Sequence, residues 1–279
     1  MVGRLIINRF LLKNSTYRVV NTAPWKDPNF KPFGTYTNEE WRVWVRKKWD
    51  LLYRYNLPTV KSQTSQDFTY LLLINKDFPG LEEIKPELDS FNEGDNIKIV
   101  YVDFAWGDGA PTQGQFALDI SDFTTKYVHR NLPDCDWVVT TRLDSDDGIS
   151  YDFMERLADE TERKEGWVLF KTGYIYEASK DRCMWHSDYL SPYHSFIEPN
   201  REKIQSVYHR MHNKLGFAET DTDKAVVVSS NHRGWFLEMQ GHTSNICKSP
   251  HFCTIRLREK EVPKEEVMKY IKIPGFVGG

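Results

Sequence analysis

Four consecutive residues, Asp144-Ser145-Asp146-Asp147, hold the densest chemistry in the 279-residue sequence. Carboxylates at i and i+2 in a turn can converge on one hard cation such as Mg²⁺ or Mn²⁺, directly or through water, because hard cations take oxygen ligands. A cation held there offsets the negative charge that a departing diphosphate gathers. Ser145 and Asp147 can orient a ribose or support the ligands from outside. Arg142, just before the cluster, carries a planar fork suited to phosphate or to bracing the carboxylates. Two aspartates so spaced also occur as plain solvated turns, and Asp147-Gly148 is a good turn pair. What distinguishes this cluster is its place in the chain.

Directly before it, residues 136–142 form an apolar run that reads as a strand. Two similar runs come earlier, at residues 68–75 and 97–103, and residues 6–10 form a short one at the start. Near-continuous apolar runs are expected of strands buried on both faces. Helical patterns lie between them. Thr37 and Glu40 have capping-box spacing. Behind them Trp41, Trp44, Val45, Trp49 and Leu52 recur at helical spacing, Leu57-Pro58 ends or sharply turns that helix, and residues 58–65 can begin a further short one. Residues 119–129 also read as helix. Strand and helix thus alternate, which predicts an α/β fold with a mostly parallel sheet. In such sheets ligands bind outside the carboxyl ends of the strands, where Asp144 and Asp146 fall.

After the cluster, Ser150 can cap a helix to about residue 165, and residues 201–215 have a helical pattern. Residues 167–171, 173–176, 225–228 and 234–239 read as strands, and one short helix follows Pro263. Hydrophobic residues make up 40% of the chain, enough for a packed core.

Several function classes are excluded. A net charge of −3 argues against a nucleic-acid binder, which needs a basic patch. The longest apolar runs are too short to span a bilayer, and the first ten residues are too short an apolar stretch for a signal peptide. The four cysteines, Cys135, Cys183, Cys247 and Cys253, lack a disulfide-scaffold pattern. A soluble, cytoplasmic protein is the expectation. Cys247, His251, Cys253 and His242 are too loosely spaced for a zinc site. There is no P-loop, no dinucleotide fingerprint and no nucleophile elbow. The paired carboxylates of a glycoside hydrolase would face each other across a sugar instead of sitting at i and i+2.

Against this background, Asn56-Leu57-Pro58-Thr59-Val60-Lys61-Ser62-Gln63-Thr64, followed by the strand through Leu73, resembles the opening of inverting GT-A glycosyltransferases. Thr140-Thr141-Arg142-Leu143-Asp144-Ser145-Asp146-Asp147 is similar to the metal motif of the rhamnosyltransferase-like family. Ser191-Pro192-Tyr193-His194-Ser195-Phe196-Ile197-Glu198-Pro199 resembles that family's proline-aromatic and glutamate-proline segment. The stretch from Trp235 to Asn245 resembles its closing signature, with Gly241-His242 in place of His-Gly. Arg9-Phe10 matches a pair near the family's start.

The resemblance implies a GT-A α/β/α sandwich, a nucleoside-diphosphate-sugar donor, a glycan acceptor and Mn²⁺ or Mg²⁺. It implies one domain over residues 1–279, with a donor half to about 148, an acceptor half over 149–260 and a tail from 261. Asp144, Asp146 and His242 would serve the metal. Arg9, Gln63, Asn75, Asp77, Asp103, Arg142, Asp144 and Ser145 would serve the donor. Lys171, Tyr174 and His194 would line the acceptor pocket. Transfer with inversion needs a carboxylate base; Glu198 is the first choice and Asp147 a second catalytic candidate, with Asp221 and Asp223 as rivals to Glu198. Two alternatives stay open: a sugar nucleotidyltransferase, and a carbohydrate-binding protein built on a catalytically dead transferase fold.

Overall fold

The computed structural model describes residues 1–12, 36–91, 96–104, 113–159, 164–177, 181–187, 194–209, 225–238 and 260–276. The apolar runs become strands β1 (Val2–Leu11), β2 (Thr69–Asn75), β3 (Ile97–Val102) and β4 (Trp137–Arg142). They lie side by side in the order β3-β2-β1-β4, and every pairing among them is parallel. The α/β class read from the alternating pattern is therefore the one observed.

Beyond β4 the sheet changes direction. Strand β8 (His194–Pro199) runs antiparallel to β4, and β6 (Gly166–Glu177) runs antiparallel to β8. Strands β7 (Arg182–Ser187) and β10 (Lys260–Val262) extend that edge. Strand β9 (Ala225–Glu238) pairs parallel with β6 and antiparallel with the short β5 (Asp147–Ile149). The two strands expected at 167–171 and 173–176 are one continuous β6, and those at 225–228 and 234–239 merge into β9. Across the β6 break, Thr172 and Gly173 pair with Ser187 and His186 of β7, whereas the β6–β9 ladder shifts register between Val228 and Arg233.

Helices cover both faces of the sheet, which makes an α/β/α sandwich. On one face lies α1 (Asn38–Leu51), opened by the Thr37–Glu40 capping box. Its buried stripe Trp41, Val45 and Trp49 packs with Ile6, Tyr70 and Leu72. Each such side chain contributes about 1.5–3 kcal/mol when fully removed from water. On the other face, Ile120 and Val128 of α4 (Gln113–Asn131) pack with Leu5, Ile7, Leu71 and Leu73. The odd and even residues of β1 thus serve opposite layers, as the pleat requires.

Three expectations are corrected. Leu57-Pro58 does not end the helical path. A π-helical turn (Leu52–Asn56) carries α1 into α2 (Leu57–Lys61), with Pro58 near the start of α2. The helix after Ser150 is α5 (Phe153–Asp159), starting three residues later. Residues 201–206 are not helical, and only a 3₁₀ turn (Val207–His209) forms among the described residues there. The N–H groups of Gln205 and Ser206 are taken by the Glu198 carboxylate, 2.8 Å each, and Ser206 sits at φ 63°. A side-chain acceptor has displaced the helix's own bonds.

A third cluster closes the far edge. Tyr55, Tyr174 and Tyr176 pack there with Val267, Ile271 and Phe276; α3 (Lys85–Ser90) lies earlier in the chain, Val267 belongs to α6 (Lys264–Met268), and Ile271 and Phe276 follow it.

Candidate functional site

The acidic cluster leaves β4 at its carboxyl end and enters β5, so it lies at the edge where parallel strands present side chains to a ligand. Asp144 to Asp147 form a tight turn, with the Asp147 N–H donating to the Asp144 carbonyl at 3.2 Å. Two guanidiniums meet the Asp144 carboxylate. Arg9 of β1 donates at 2.8 Å, and Arg142 donates through Nε at 3.2 Å and through a second, shorter bond. Burial works to raise the Asp144 pKa, but Arg142 and Arg9 outweigh it and hold the carboxyl well below the usual carboxylate range. Burial likewise opposes the charge on Arg142, and Asp144 outweighs it and raises the Arg142 pKa.

A third cation comes from the last turn of α1. Lys48 Nζ lies 3.7 Å from an Asp146 carboxylate oxygen and 3.3 Å from Ser145 Oγ. The turn therefore sets three cations (Arg9, Arg142, Lys48) beside three carboxylates (Asp144, Asp146, Asp147).

The turn is gripped from below by the π-helical segment. Asn56 is fully buried, and its amide nitrogen donates to the carbonyls of Asp144 and Asp147 at 2.9 and 2.8 Å. Its amide oxygen accepts from the Tyr70 hydroxyl at 2.7 Å, which in turn accepts from Asn8 Nδ2 at 2.7 Å. The next turn of helix grips residues 148–154. Thr59 Oγ1 accepts from the Ile149 N–H, and Gly148 lies so close to Thr59 that a Cβ there would meet its methyl at 2.9 Å. Gln63 Nε2 donates to the carbonyls of Thr59 and Ser150, while its oxygen accepts from the Met154 N–H. Gln63 is thus corrected from donor contact to brace: its amide is committed to main chain and 4% exposed.

Glu198 is corrected as well. It sits 1% exposed in β8, paired opposite Val138, while the acidic turn begins beyond Arg142. Four residues of strand separate the two, about 13 Å. Both of its carboxylate oxygens accept main-chain N–H groups. That removes it as the base, although burial does push its pKa up. It acts instead on the 3₁₀ turn, together with Thr140, whose Oγ1 accepts from the Val207 N–H at 2.7 Å. The turn then delivers Tyr208, whose hydroxyl donates to the Ile7 carbonyl at 2.9 Å and whose ring lies 5.2 Å from the Arg9 guanidinium carbon.

Two acceptor candidates are enclosed. Tyr174 is 0% exposed beside Tyr270, and His194 is 1% exposed beside Trp167, so neither ring faces an open pocket. The side chain of Lys171 lies outside the described residues, as do His242, Asp221 and Asp223. Asn75, Asp77 and Asp103 stand at the same carboxyl edge as the turn. Asn75 is buried and donates to the Phe104 carbonyl at 2.9 Å, and Asp103 is exposed with Lys76 at 3.8 Å. Asp77 is exposed in the turn after β2.

Lys48, Asn56, Tyr70 and Tyr208 are site residues that sequence reasoning missed. Asn56 had a visible signal, a polar residue inside an otherwise helical run just before Leu57-Pro58. Tyr208 had none, since it reaches the site only because Glu198 captures the preceding main chain.

No protein-family model matches the sequence, and no curated protein matches it. Among solved structures the chain is similar to S. aureus TarS 1-349. The identity is 12% and the TM-score 0.36, over 86% of this chain and 61% of that one. The same TarS fragment in complex with UDP gives 11% and 0.35, over 87% and 62%. A Bacillus anthracis protein described as a glucose-1-phosphate thymidylyltransferase, in complex with sucrose, gives 11% and 0.33, over 84% and 88%. The chain spans less than two thirds of the length of the TarS structures it matches. Similarities of this size carry no statement about chemistry.

Proposed function

We propose that this chain is a GT-A glycosyltransferase that moves a sugar from a nucleoside-diphosphate sugar to a hydroxyl of a glycan acceptor. One observation carries the reading: a braced carboxylate turn at the carboxyl edge of β1 and β4 is flanked by Arg9, Arg142 and Lys48. A leaving diphosphate gathers negative charge, and donors fixed in advance around it stabilise that charge without reorganising. The planar forks of Arg9 and Arg142 suit phosphate oxygens. Asp144 keeps both forks aimed at the edge of the sheet.

The residues fit Mn²⁺ or Mg²⁺ with a limited donor set. Among the described residues no three His, Cys, Asp or Glu side chains are arranged so that together they could hold a metal ion. The turn offers two carboxylates, Asp144 and Asp146, and such a pair is enough when phosphate oxygens and water complete the shell. Asp146 has the freer carboxylate, with Lys48 no nearer than 3.7 Å, whereas Asp144 is engaged by both arginines. Bound there, the cation would neutralise diphosphate charge as a Lewis acid. Within this reading a rhamnosyl donor is the finer assignment.

The test is a melting-temperature panel with UDP, GDP, dTDP and CMP, and with dTDP-rhamnose, each with and without Mn²⁺. A rise that requires both one nucleotide and the metal, and that disappears in Asp146→Asn, supports the reading. Absence of any rise with every nucleotide and metal condition would sink it and favour the carbohydrate-binding alternative.

A further inference from the structure

A separate cavity of about 880 Å³ opens between the π-helical turn with α2 and the chain after α6. Its walls include Leu57, Ile273 and Phe276, all buried members of the apolar core. Three cations also line it, Arg54, Lys61 and Lys272, and among the described residues no Asp or Glu does. All three are exposed. Each lies over an aromatic ring instead of beside a carboxylate: Arg54 over Tyr55, Lys61 over Phe91, and Lys272 over Tyr151, at 5.3, 4.9 and 5.2 Å.

Among the described residues, none of the three has an acidic partner. The contrast with nearby cations is clear, since Arg42, Arg46, Lys264 and Lys269 are each matched with carboxylates. Three cations on the wall of one apolar hollow make its potential positive and favour an anion there. The hollow is of the size that holds a small molecule, and it is concave, which suits a single ligand better than a flat surface.

We infer that this cavity binds a small amphipathic anion, an apolar chain or ring bearing a phosphate, sulfate or carboxylate. The apolar body would lie against Tyr53, Pro58 and Met268, over the buried Leu57, Ile273 and Phe276, and the anionic head would lie among Arg54, Lys61 and Lys272. None of these three cations belongs to the acidic turn, so the inference stands apart from the proposed transferase activity.

The probe is dodecyl phosphate below its micelle concentration, titrated by calorimetry into the full chain. Dodecyl maltoside and inorganic phosphate serve as the uncharged and the chainless comparisons. The expected result is one equivalent of dodecyl phosphate bound more tightly than either comparison, and weakened about tenfold or more in the triple variant R54Q/K61Q/K272Q. Equal binding of dodecyl maltoside, equal binding of inorganic phosphate, or undiminished binding by the triple variant would each overturn the inference. The three substitutions are at exposed positions, and an unchanged melting temperature of the variant without ligand confirms that its fold is intact.

Discussion

The buried amide of Asn56 donates to the main-chain carbonyl of Asp144 at 2.9 Å, so a residue of the π-helical turn sets the position of the acidic turn. The same nitrogen reaches Asp147, and the amide oxygen is held by Tyr70. Asn56→Leu keeps much of the volume but leaves two carbonyls and one hydroxyl without this partner. A loss of about 2–4 kcal/mol is expected, since each buried polar group left unsatisfied costs about 1–3 kcal/mol. Urea unfolding measures it. Nucleotide affinity should fall as well, while Asn8→Leu, one bond further from the turn, should cost stability with a smaller effect on affinity.

Arg9 and Arg142 share Asp144 as a partner, yet they come from different strands. If their forks grip a diphosphate, Arg142→Lys should weaken nucleoside-diphosphate binding nearly as much as Arg142→Gln, about tenfold or more, because a lysine cannot reproduce a two-pronged contact. Titration calorimetry with the nucleotide identified by the melting panel decides this. Full rescue by lysine would mean that only charge is needed.

Acid should weaken the fold through Asp144. Its folded pKa lies below the ordinary value of about 3.9, despite burial, because Arg142 and Arg9 stabilise the charged form. A depressed carboxyl contributes stability that is fully present above the unfolded pKa and is lost as pH falls toward the folded one. Asp144→Asn should therefore be less stable than the parent at neutral pH and show a flatter loss of stability below about pH 4. Denaturant midpoints collected from pH 7 to pH 2.5 report both effects. Parallel curves for the two proteins would refute the pairing.

Just after the turn, Gly148 lies against Thr59 of α2, so a side chain there would crowd the helix. Gly148→Ala puts a methyl 2.9 Å from Thr59 Cγ2 and should cost about 1–3 kcal/mol. Thr59→Ser removes that methyl but keeps the hydroxyl that serves Asn56 and Ile149. The double variant should recover part of the loss, and thermal unfolding of the four-member cycle measures the coupling.

The sequence by itself determined the first half of the sheet. Residues 68–75, 97–103 and 136–142 are apolar enough to be strands buried on both faces, and the acidic cluster after the last of them had to emerge at a carboxyl edge. Thr37 and Glu40 marked the start of α1 because a capping box is a local device, complete within four residues. Arg142, Asp144 and Asp146 were legible for the same reason, being adjacent in the chain.

Only the tertiary structure decided what the remaining polar residues do. Glu198 is read from sequence as the candidate base, but β8 pairs antiparallel with β4 and carries it away from the turn, where it takes the N–H groups of Gln205 and Ser206. Gln63 and Asn56 look equally able to contact a ligand until α2 packs under the acidic turn and their amides meet main chain. Lys48 and Tyr208 come within reach of the turn and of Arg9 across 97 and nearly 200 residues of chain. A local pattern records which residues are polar and how often they recur. Which partner satisfies each buried polar group depends on strand order and on which face of the sheet a helix covers.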